Sequence, residues 1–413
     1  MSTLDSSGIS NQNASLPTAR RLFSLDALRG FDMFWIISGE GIFHGLASVV
    51  MKKHNLFQNP ENWMIGRTAD LSFFEHLAII ISNQLHHSVW NGFTFYDMIF
   101  PLFIFISGVS MPFSYRKFFN ETNQELKKQA KKQLYLSLIK RTITLIILGM
   151  VVNGLLKWQG FENTRFASVL GRIALSTFFA AVIYLNFSLS KQIYWVISIL
   201  AGYFLIMKFI PVPGFGAGVF TPKGNLSAFI DQHFLPGKLH RIFYDPEGLL
   251  STIPAIASAF LGIFTGQFLM ANELNVNPAK KSLVLLLAGM VSLALGLSWN
   301  IWFPINKNMW TSSFVLYAGG WSIILFAVFY YLIDALNFSK WTKPFIWIGT
   351  NSILIYMAAH GLVNFESTSQ FLFGGLINMA NPNWHQPLLW ISVLLIQLAL
   401  LKFLFDKKWF LKV

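Results

Sequence analysis

Two adjacent histidines, His86 and His87, stand ten or so residues before an aspartate, Asp97, at the start of a long apolar run. Histidine is the side chain that changes between neutral base and charged acid near neutral pH. A carboxylate so close to hydrocarbon is costly and is usually paired or functional. Between them lie an indole and an amide, Trp90 and Asn91, which suit binding of a polar ligand. We predict that this stretch carries the reactive site.

Simpler interpretations of the same residues remain open. The histidines could be interfacial residues with exposed polar tips, and adjacent residues on a helix point about 100° apart, so only one is expected to face a cavity. Without cysteine or a His-x-x-x-His spacing, no metal site is predicted. Asp97 could pair structurally with an arginine of the bundle, for which Arg172 is the candidate, or support catalysis.

A second intramembrane carboxylate, Glu40, lies deep in the first apolar segment, in the sequence Ser-Gly-Glu-Gly. The flanking glycines would let a neighbouring backbone or a substrate approach. Carboxylates inside a membrane are also typical of proton-coupled transporters. Glu40 and Asp97 therefore do not by themselves choose between an enzyme and a transporter.

The composition predicts an all-α, polytopic membrane protein. Of 413 residues, 54% are hydrophobic and only 12% are charged, whereas soluble domains have about 25% charged residues. The absence of cysteine excludes disulfides and thiolate catalysis. The net charge of +13 is attributed to cytoplasmic loops rather than to nucleic-acid binding. Residues 1–21 are polar and predict a disordered cytoplasmic tail, followed by one transmembrane domain over 22–413.

Ten apolar segments are predicted to cross roughly 30 Å of hydrocarbon. They cover residues 31–50, 94–114, 142–156, 166–187, 193–209, 249–270, 282–299, 310–333, 345–363 and 388–404. Residues 71–85 and 371–379 are too short to cross, so the first is predicted to lie at the interface and the second to be re-entrant or interfacial. A basic loop is predicted over 116–141.

The distribution of positive charge predicts that both termini are cytoplasmic. With ten spans, 20 of the 31 Lys and Arg residues lie on the side of the termini, eight of them in the basic loop. His86, His87 and Trp90 then lie at the extracytoplasmic end of the second span.

Other polar groups have two interpretations each. Asp26 and Arg29 could form a local ion pair that anchors the first span, or a phosphate clamp for a cytosolic cofactor. The sequence Asp-Pro-Glu-Gly at 245–248 is typical of a helix start, here that of span six. Residues 303–310 are denser in polar groups than a plain loop requires. Asn351 opens the ninth span, and His360 lies near its outer end.

Several of these pieces together resemble the heparan-α-glucosaminide N-acetyltransferase family and its bacterial relatives. The central piece is His-x-x-Trp-Asn-Gly at 87–92, which continues through Asp97. The matching pieces, in the family's order, are residues 24–30, 87–108, 168–173, 245–250, 304–310 and 351–356. The long luminal amino-terminal region of the animal enzymes has no counterpart in this sequence.

The resemblance implies transfer of an acetyl group from cytosolic acetyl-CoA, across the bilayer, to the amine of a glucosamine-like sugar or glycan. The family's active histidine falls on His87 and its intramembrane aspartate on Asp97. The family's asparagine in the first span falls on Glu40, a departure that puts acceptor handling in question because a carboxylate donates a hydrogen bond only when protonated. A bacterial inner membrane location follows from the same resemblance, and a homodimer is left open.

The predicted site therefore has three groups of residues. The catalytic group is His87, Asp97 and Glu40, with His87 as general base or acetyl carrier. The residues predicted to bind acetyl-CoA are Asp26, Arg29, Arg141 and Arg172. Those predicted to bind the acceptor are Trp90, Asn91, Glu247, Asn306, Lys307, Asn308, Asn351 and His360. The alternative function is a proton-coupled transporter or flippase of a small glycan that uses Glu40 and Asp97.

Overall fold

The fold is known from a computed structural model, which describes residues 22–56, 71–158, 160–271 and 277–411. The predicted disordered tail, 1–21, lies outside the described residues. The α-helices are α1 Phe23–Phe34, α2 Glu40–Lys53, α3 Phe73–Gln84, α4 Phe95–Ser114, α5 Arg116–Asn120, α6 Gln124–Val152, α7 Val169–Asn186, α8 Leu189–Phe209, α9 Leu226–Phe234, α10 Thr252–Met270, α11 Pro278–Trp299, α12 Ser312–Tyr330, α13 Lys343–Thr350, α14 Ser352–Met357, α15 Phe365–Asn378 and α16 His385–Asp406. Short π-helical turns cover Trp35–Gly39, Tyr331–Ala335 and Ala358–Leu362.

This all-α bundle confirms the predicted fold class. Among the described residues, nine helical segments are long and apolar enough to cross a membrane. A tenth crossing is formed if Lys340–Thr350 and Ser352–Leu362, bent by 67° to each other, count as one span. The ten predicted segments each fall on one of these crossings, so the chain is a multi-pass membrane protein. Which side the termini occupy stays a prediction.

The predicted basic loop differs from the structure, because most of it is helix. Helix α6 begins at Gln124, where the Asn123 side chain accepts hydrogen bonds from the backbone N–H groups of Glu125 and Leu126. The predicted third span began eighteen residues later. Lysine, glutamine and glutamate are good helix formers but polar, so hydropathy alone detects only the apolar half of such a helix.

The predicted helix start at Asp245 is also wrong. Helix α10 begins seven residues later at Thr252, and Asp245 lies in a turn, buried against Arg165. The ninth span is broken at Asn351, which is 2% exposed. The Asn351 side chain donates to the carbonyl of Trp409 at 3.0 Å and accepts from the N–H of Leu411 at 3.0 Å.

Helix α4 is the central element that positions the site. It is the most buried of the spans and packs directly against α10. A Cβ on Gly108 would lie 2.1 Å from the carbonyl oxygen of Ala259, and one on Gly262 would lie 2.0 Å from that of Phe105. Glycines at these two places allow the backbones to approach closely, as is common in membrane bundles. The first turn of α4, which contains Asp97, is thereby fixed relative to the rest of the bundle.

Candidate active site

The site is built on the loop between α3 and α4. The Nδ1 atom of His87 lies 2.8 Å from an Asp97 carboxylate oxygen. The other oxygen accepts from the backbone N–H groups of Ser88 and Thr94, both at 3.1 Å. Thr94 and Asp97 form a capping box at the start of α4. Local helix-start chemistry therefore orients the carboxylate, and the carboxylate orients the imidazole.

The predicted pair between Asp97 and Arg172 is wrong. Arg172 is 2% exposed and donates to the carbonyl of Gly248 at 3.2 Å and to the hydroxyl of Ser251. Its guanidinium lies over the ring of Trp310, 4.9 Å from the centroid. Arg172 thus joins α7 to the start of α10, and its predicted contact with acetyl-CoA would require it to leave this packing.

Lys307 is the second charged neighbour of His87. Its Nζ lies 3.1 Å from Nδ1 and 3.0 Å from Nε2 of the imidazole, and 3.9 Å from an Asp97 oxygen. An ammonium nearly equidistant from both ring nitrogens cannot lie along the in-plane lone pair of either one, because Cε1 occupies the space between them. It therefore lies over the face of the ring. With Nδ1–H donated to Asp97, the lone pair of Nε2 stays available in the ring plane.

The surroundings favour neutral His87. Partial desolvation lowers the pKa of His87, the Lys307 ammonium lowers it further, and the hydrogen bond and charge of Asp97 oppose both effects. Burial also lowers the pKa of Lys307, against the attraction of Asp97 and Glu247. A neutral imidazole is the form that can act as base or nucleophile.

His86 and His87 lie on a loop and not on a helix, for which the angle of about 100° between neighbours was given. Their surroundings nevertheless differ. The His86 ring stacks on His44 with centroids 4.1 Å apart. His44 in turn bonds the hydroxyl of Ser82 at 2.8 Å. The His87 side chain is 49% exposed, whereas that of Asp97 is 1% exposed. Only His87 faces a cavity, as predicted for one member of the pair.

That cavity, which we call the His87 cavity, has a volume of about 390 Å³. Its polar lining includes His87, Tyr96, Glu247, Lys307, Asn308 and His360. Arg165 also lines it and pairs with two carboxylates, at 2.6 Å to Asp245 and in closer contact with Glu247. These carboxylates raise the pKa of Arg165. The structure thus brings four of the predicted acceptor residues, Glu247, Lys307, Asn308 and His360, to the same cavity as His87 and Asp97.

Three other predicted acceptor residues, Trp90, Asn91 and Asn306, lie in the wall behind this cavity. Asn306 is fully buried and donates from Nδ2 to the carbonyl of Trp90 at 2.7 Å and to the side chain of Asn91 at 3.1 Å. The Trp90 indole donates to the carbonyl of Phe220 at 2.7 Å. These contacts connect the loop that contains His86 and His87 to the loops that contain Phe220 and Asn306. Asn351, the remaining predicted acceptor residue, lies at the bend of span nine.

Three of the four residues predicted to bind acetyl-CoA, Asp26, Arg29 and Arg141, lie away from His87. Arg172 does not, because it is three residues from Val169, which lines the His87 cavity. Arg29 pairs with Asp26 at 3.5 Å and donates to the hydroxyl of Ser110 at 3.2 Å. Arg141 lies on α6 and interacts with Tyr115. Arg29 is near the start of the first span and Ser110 near the end of the second, so this group is at the opposite end of the bundle from His87.

A narrow apolar cavity of about 40 Å³ lies beneath the His87 cavity. It shares Ile36, Phe100, Val169 and Tyr356 with the His87 cavity. It then continues along α1 and α4 to Met33 and Phe103. Met33 is one helical turn from Arg29. This one small cavity therefore extends from the His87 cavity part of the way toward the Arg29 end of the bundle.

Several polar cavity residues were not singled out from the sequence, among them Tyr96 and Arg165. The ring of Tyr96 lies 4.8 Å from that of His87, and its position beside Asp97 could have suggested it. Arg165 stands in a polar loop 80 residues before its partner Asp245, and no local pattern links the two.

No family model matches the chain. Human heparan-alpha-glucosaminide N-acetyltransferase is 29% identical to it, over 74% of this chain and 55% of the human protein. The mouse protein of the same name is 27% identical, over 68% of this chain and 49% of the mouse protein. The chain therefore spans about half the length of the curated relatives it matches.

Proposed function

We propose, from the membership of the heparan-alpha-glucosaminide N-acetyltransferase family that these two matches support, that the chain is a membrane-embedded acetyltransferase. In the proposed reaction the thioester C–S bond of acetyl-CoA breaks and a C–N bond forms to the amine of a glucosamine-like sugar. With the neutral amine as nucleophile, the nitrogen loses a proton and the CoA thiolate gains one, so the products are the amide and the CoA thiol. The donor comes from the cytoplasmic side and the acceptor from the other side.

The observation that carries this proposal is the geometry of His87. Asp97 holds Nδ1 at 2.8 Å, so the hydrogen-free Nε2 is the atom presented to the His87 cavity. A positioned imidazole can take the proton of the attacking amine, or it can accept the acetyl group on Nε2 and pass it on. Both routes use the same atom and the same partner.

Lys307 and Asp97 have opposite electrostatic roles in this proposal. The ammonium favours neutral His87 before the reaction, and the carboxylate stabilises the positive charge that the ring gains when it takes a proton or an acetyl group. Because Asp97 is buried and hydrogen-bonded by two backbone N–H groups, it stays oriented through both steps. This arrangement is comparable to the orienting acid of other histidine-based sites.

The donor would enter at the Arg29 end. Arg29, with Arg141 as a second candidate, would bind the CoA phosphates, since arginine suits bidentate contact with phosphate. The pantetheine arm would follow the apolar gaps lined by Met33, Ile36 and Phe103, which must widen to admit it. The thioester would then meet His87 from below while the acceptor approaches from the other side.

The deciding experiment measures CoA release from acetyl-CoA by the purified chain, with a panel of amino sugars as acceptors. Release that depends on an amine sugar supports the acetyltransferase. The rival, a proton-coupled transporter that uses Glu40 and Asp97, would instead give substrate-dependent proton uptake into proteoliposomes without CoA. That result, with no CoA release for any amino sugar, would replace the proposal.

Sidedness has its own test. Reporter fusions after Lys128 and after Lys408 should be cytoplasmic, and a fusion near Gly237 should be extracytoplasmic. A cytoplasmic signal at Gly237 would place His87 on the donor side and contradict transfer across the membrane.

A further inference from the structure

A second cavity opens beside the His87 cavity, with a volume of about 600 Å³. We call it the Glu40 cavity. It lies between the first span, the end of the ninth span and α16. Its polar and aromatic lining consists of Ser38, Glu40, Lys157, His360, Asn364, Phe365, Glu366, Trp390 and Gln397. Ligand pockets typically have volumes of about 300–1,000 Å³, so the space is large enough for one or two sugar rings.

Two irregular backbone segments border this cavity. The π-helical turns Trp35–Gly39 and Ala358–Leu362 both contribute to its lining. Such turns occur most often at functional sites. At the inner end the Gln397 amide lies 2.6 Å from the hydroxyl of Ser38 and donates to the carbonyl of Ile37 at 3.4 Å. The Gln397 side chain, on α16, therefore stabilises the π-helical turn Trp35–Gly39 and closes the inner end of the cavity.

An indole stands beside the carboxylate. A Cβ on Gly41 would lie 2.3 Å from the Trp390 indole, so only glycine leaves room for this ring against α2. Gly41 directly follows Glu40 in the chain. Glu40 and Trp390 line the same cavity. A carboxylate can bind an ammonium group, and an indole can cover the apolar C–H groups of a sugar ring.

The Glu40 cavity and the His87 cavity are contiguous. Ile36 and His360 line both. Tyr96 lies near Glu40, and the Tyr96 ring is 4.8 Å from the ring of His87. A ligand group held at Glu40 is therefore separated from the reacting imidazole by one tyrosine side chain.

We propose that the Glu40 cavity is the acceptor subsite, and that Glu40 selects an acceptor with a protonated amine over a neutral sugar. The ammonium binds the Glu40 carboxylate and a sugar face lies on Trp390. For transfer, the bound amine must then lose a proton and move past Tyr96 to His87. Asn364 and His360 are placed to bind hydroxyl groups. This inference rests on the proposed acetyltransferase function.

Binding without acetyl-CoA tests the inference separately from catalysis. The full chain in detergent is titrated with glucosamine and with glucose, a probe that lacks only the amine, and binding is followed by saturation-transfer NMR. Glucosamine should bind at least about tenfold more tightly than glucose, because a charge-assisted hydrogen bond contributes more than a neutral one. Glu40→Gln should remove that preference, and Glu40→Asp should keep part of it.

Two further variants control the result. Trp390→Leu should weaken both sugars by a similar factor, since the indole does not read the amine. Glu125→Gln removes a carboxylate from the exposed start of α6 and should leave both affinities unchanged.

The outcomes separate the two proposals. Equal binding of glucosamine and glucose, or a preference that survives Glu40→Gln, would overturn the acceptor subsite even if CoA release continues. A preference that depends on Glu40, together with no CoA release for any amino sugar, would support the subsite and overturn the acetyltransferase.

Discussion

The two neighbouring cavities differ in how their charges are matched. In the His87 cavity, His87 and Lys307 stand against Asp97, and Arg165 pairs with Asp245 and Glu247. In the Glu40 cavity, Glu40 forms no ion pair among the described residues and has the neutral Tyr96 nearby, although Lys157 and Glu366 also line the cavity. Charges that are already matched hold a reacting group in one geometry. A carboxylate beside a neutral group keeps its attraction for an incoming cation.

The substitution with the largest expected effect on acetyl transfer is at His87. His87→Ala should reduce acetyl transfer by at least about 10²-fold, the usual contribution of a positioned base, while acetyl-CoA affinity and folding stay nearly unchanged. Single-turnover CoA release and CoA binding measure the two effects. An active His87→Ala protein would move the chemistry away from this cavity.

Asp97→Asn tests whether acetyl transfer requires the negative charge of Asp97 or only a side chain of the same shape. The variant should reduce transfer by about 10- to 100-fold, equivalent to a charge-assisted hydrogen bond of about 1.5–3 kcal/mol. The amide can still accept from His87 but does not stabilise a charged ring. The measurement is single-turnover CoA release, with thermal unfolding in detergent as the control. A loss of stability without a loss of the chemical step would assign Asp97 to packing.

Lys307→Gln tests the matched charges of the His87 cavity through the pH dependence of kcat/KM. Because the Lys307 ammonium lowers the pKa of His87, its removal raises that pKa and increases the protonated, inactive fraction at low pH. The acid limb of the kcat/KM profile should therefore move to higher pH. An unchanged profile, with activity lost equally at every pH, would mean that Lys307 binds the acceptor and does not tune the imidazole.

His86→Ala should have the smallest effect, a change in transfer of less than about threefold. Its ring stacks on His44, so the expected cost is stability, about 0.5–1.5 kcal/mol for a lost aromatic pair. Kinetics and thermal unfolding on the same sample separate the two. If His86→Ala is inactive and His87→Ala is active, the residues have been assigned in the wrong order.

The spans were predictable because a membrane crossing requires a long apolar segment, whatever its neighbours are. Their bounds were predictable only where the helix itself is apolar. The first half of α6 is polar and only its second half was recognised. The bend at Asn351 depends on hydrogen bonds to residues about 60 positions away, which hydropathy does not contain.

The pairing of His87 with Asp97 was predictable because both residues belong to one short segment with a helix-start pattern. The neighbours that come from far along the chain were not. Lys307 stood only among eight acceptor candidates, 220 residues from His87, and its position over the ring follows from packing of distant loops. Arg172 was placed at the same end of the bundle as Asp97, but the sequence did not show which face of α7 turns toward Asp97.

The hydrogen bonds of Asn351 have a consequence for biosynthesis. The bend in the ninth span receives its partners from Trp409 and Leu411, which leave the ribosome some sixty residues later. Until then the Asn351 side chain lacks these two hydrogen-bond partners, and they do not yet stabilise the bend between α13 and α14. The bend in the ninth span is therefore stabilised only after α16, the tenth crossing, has been synthesised.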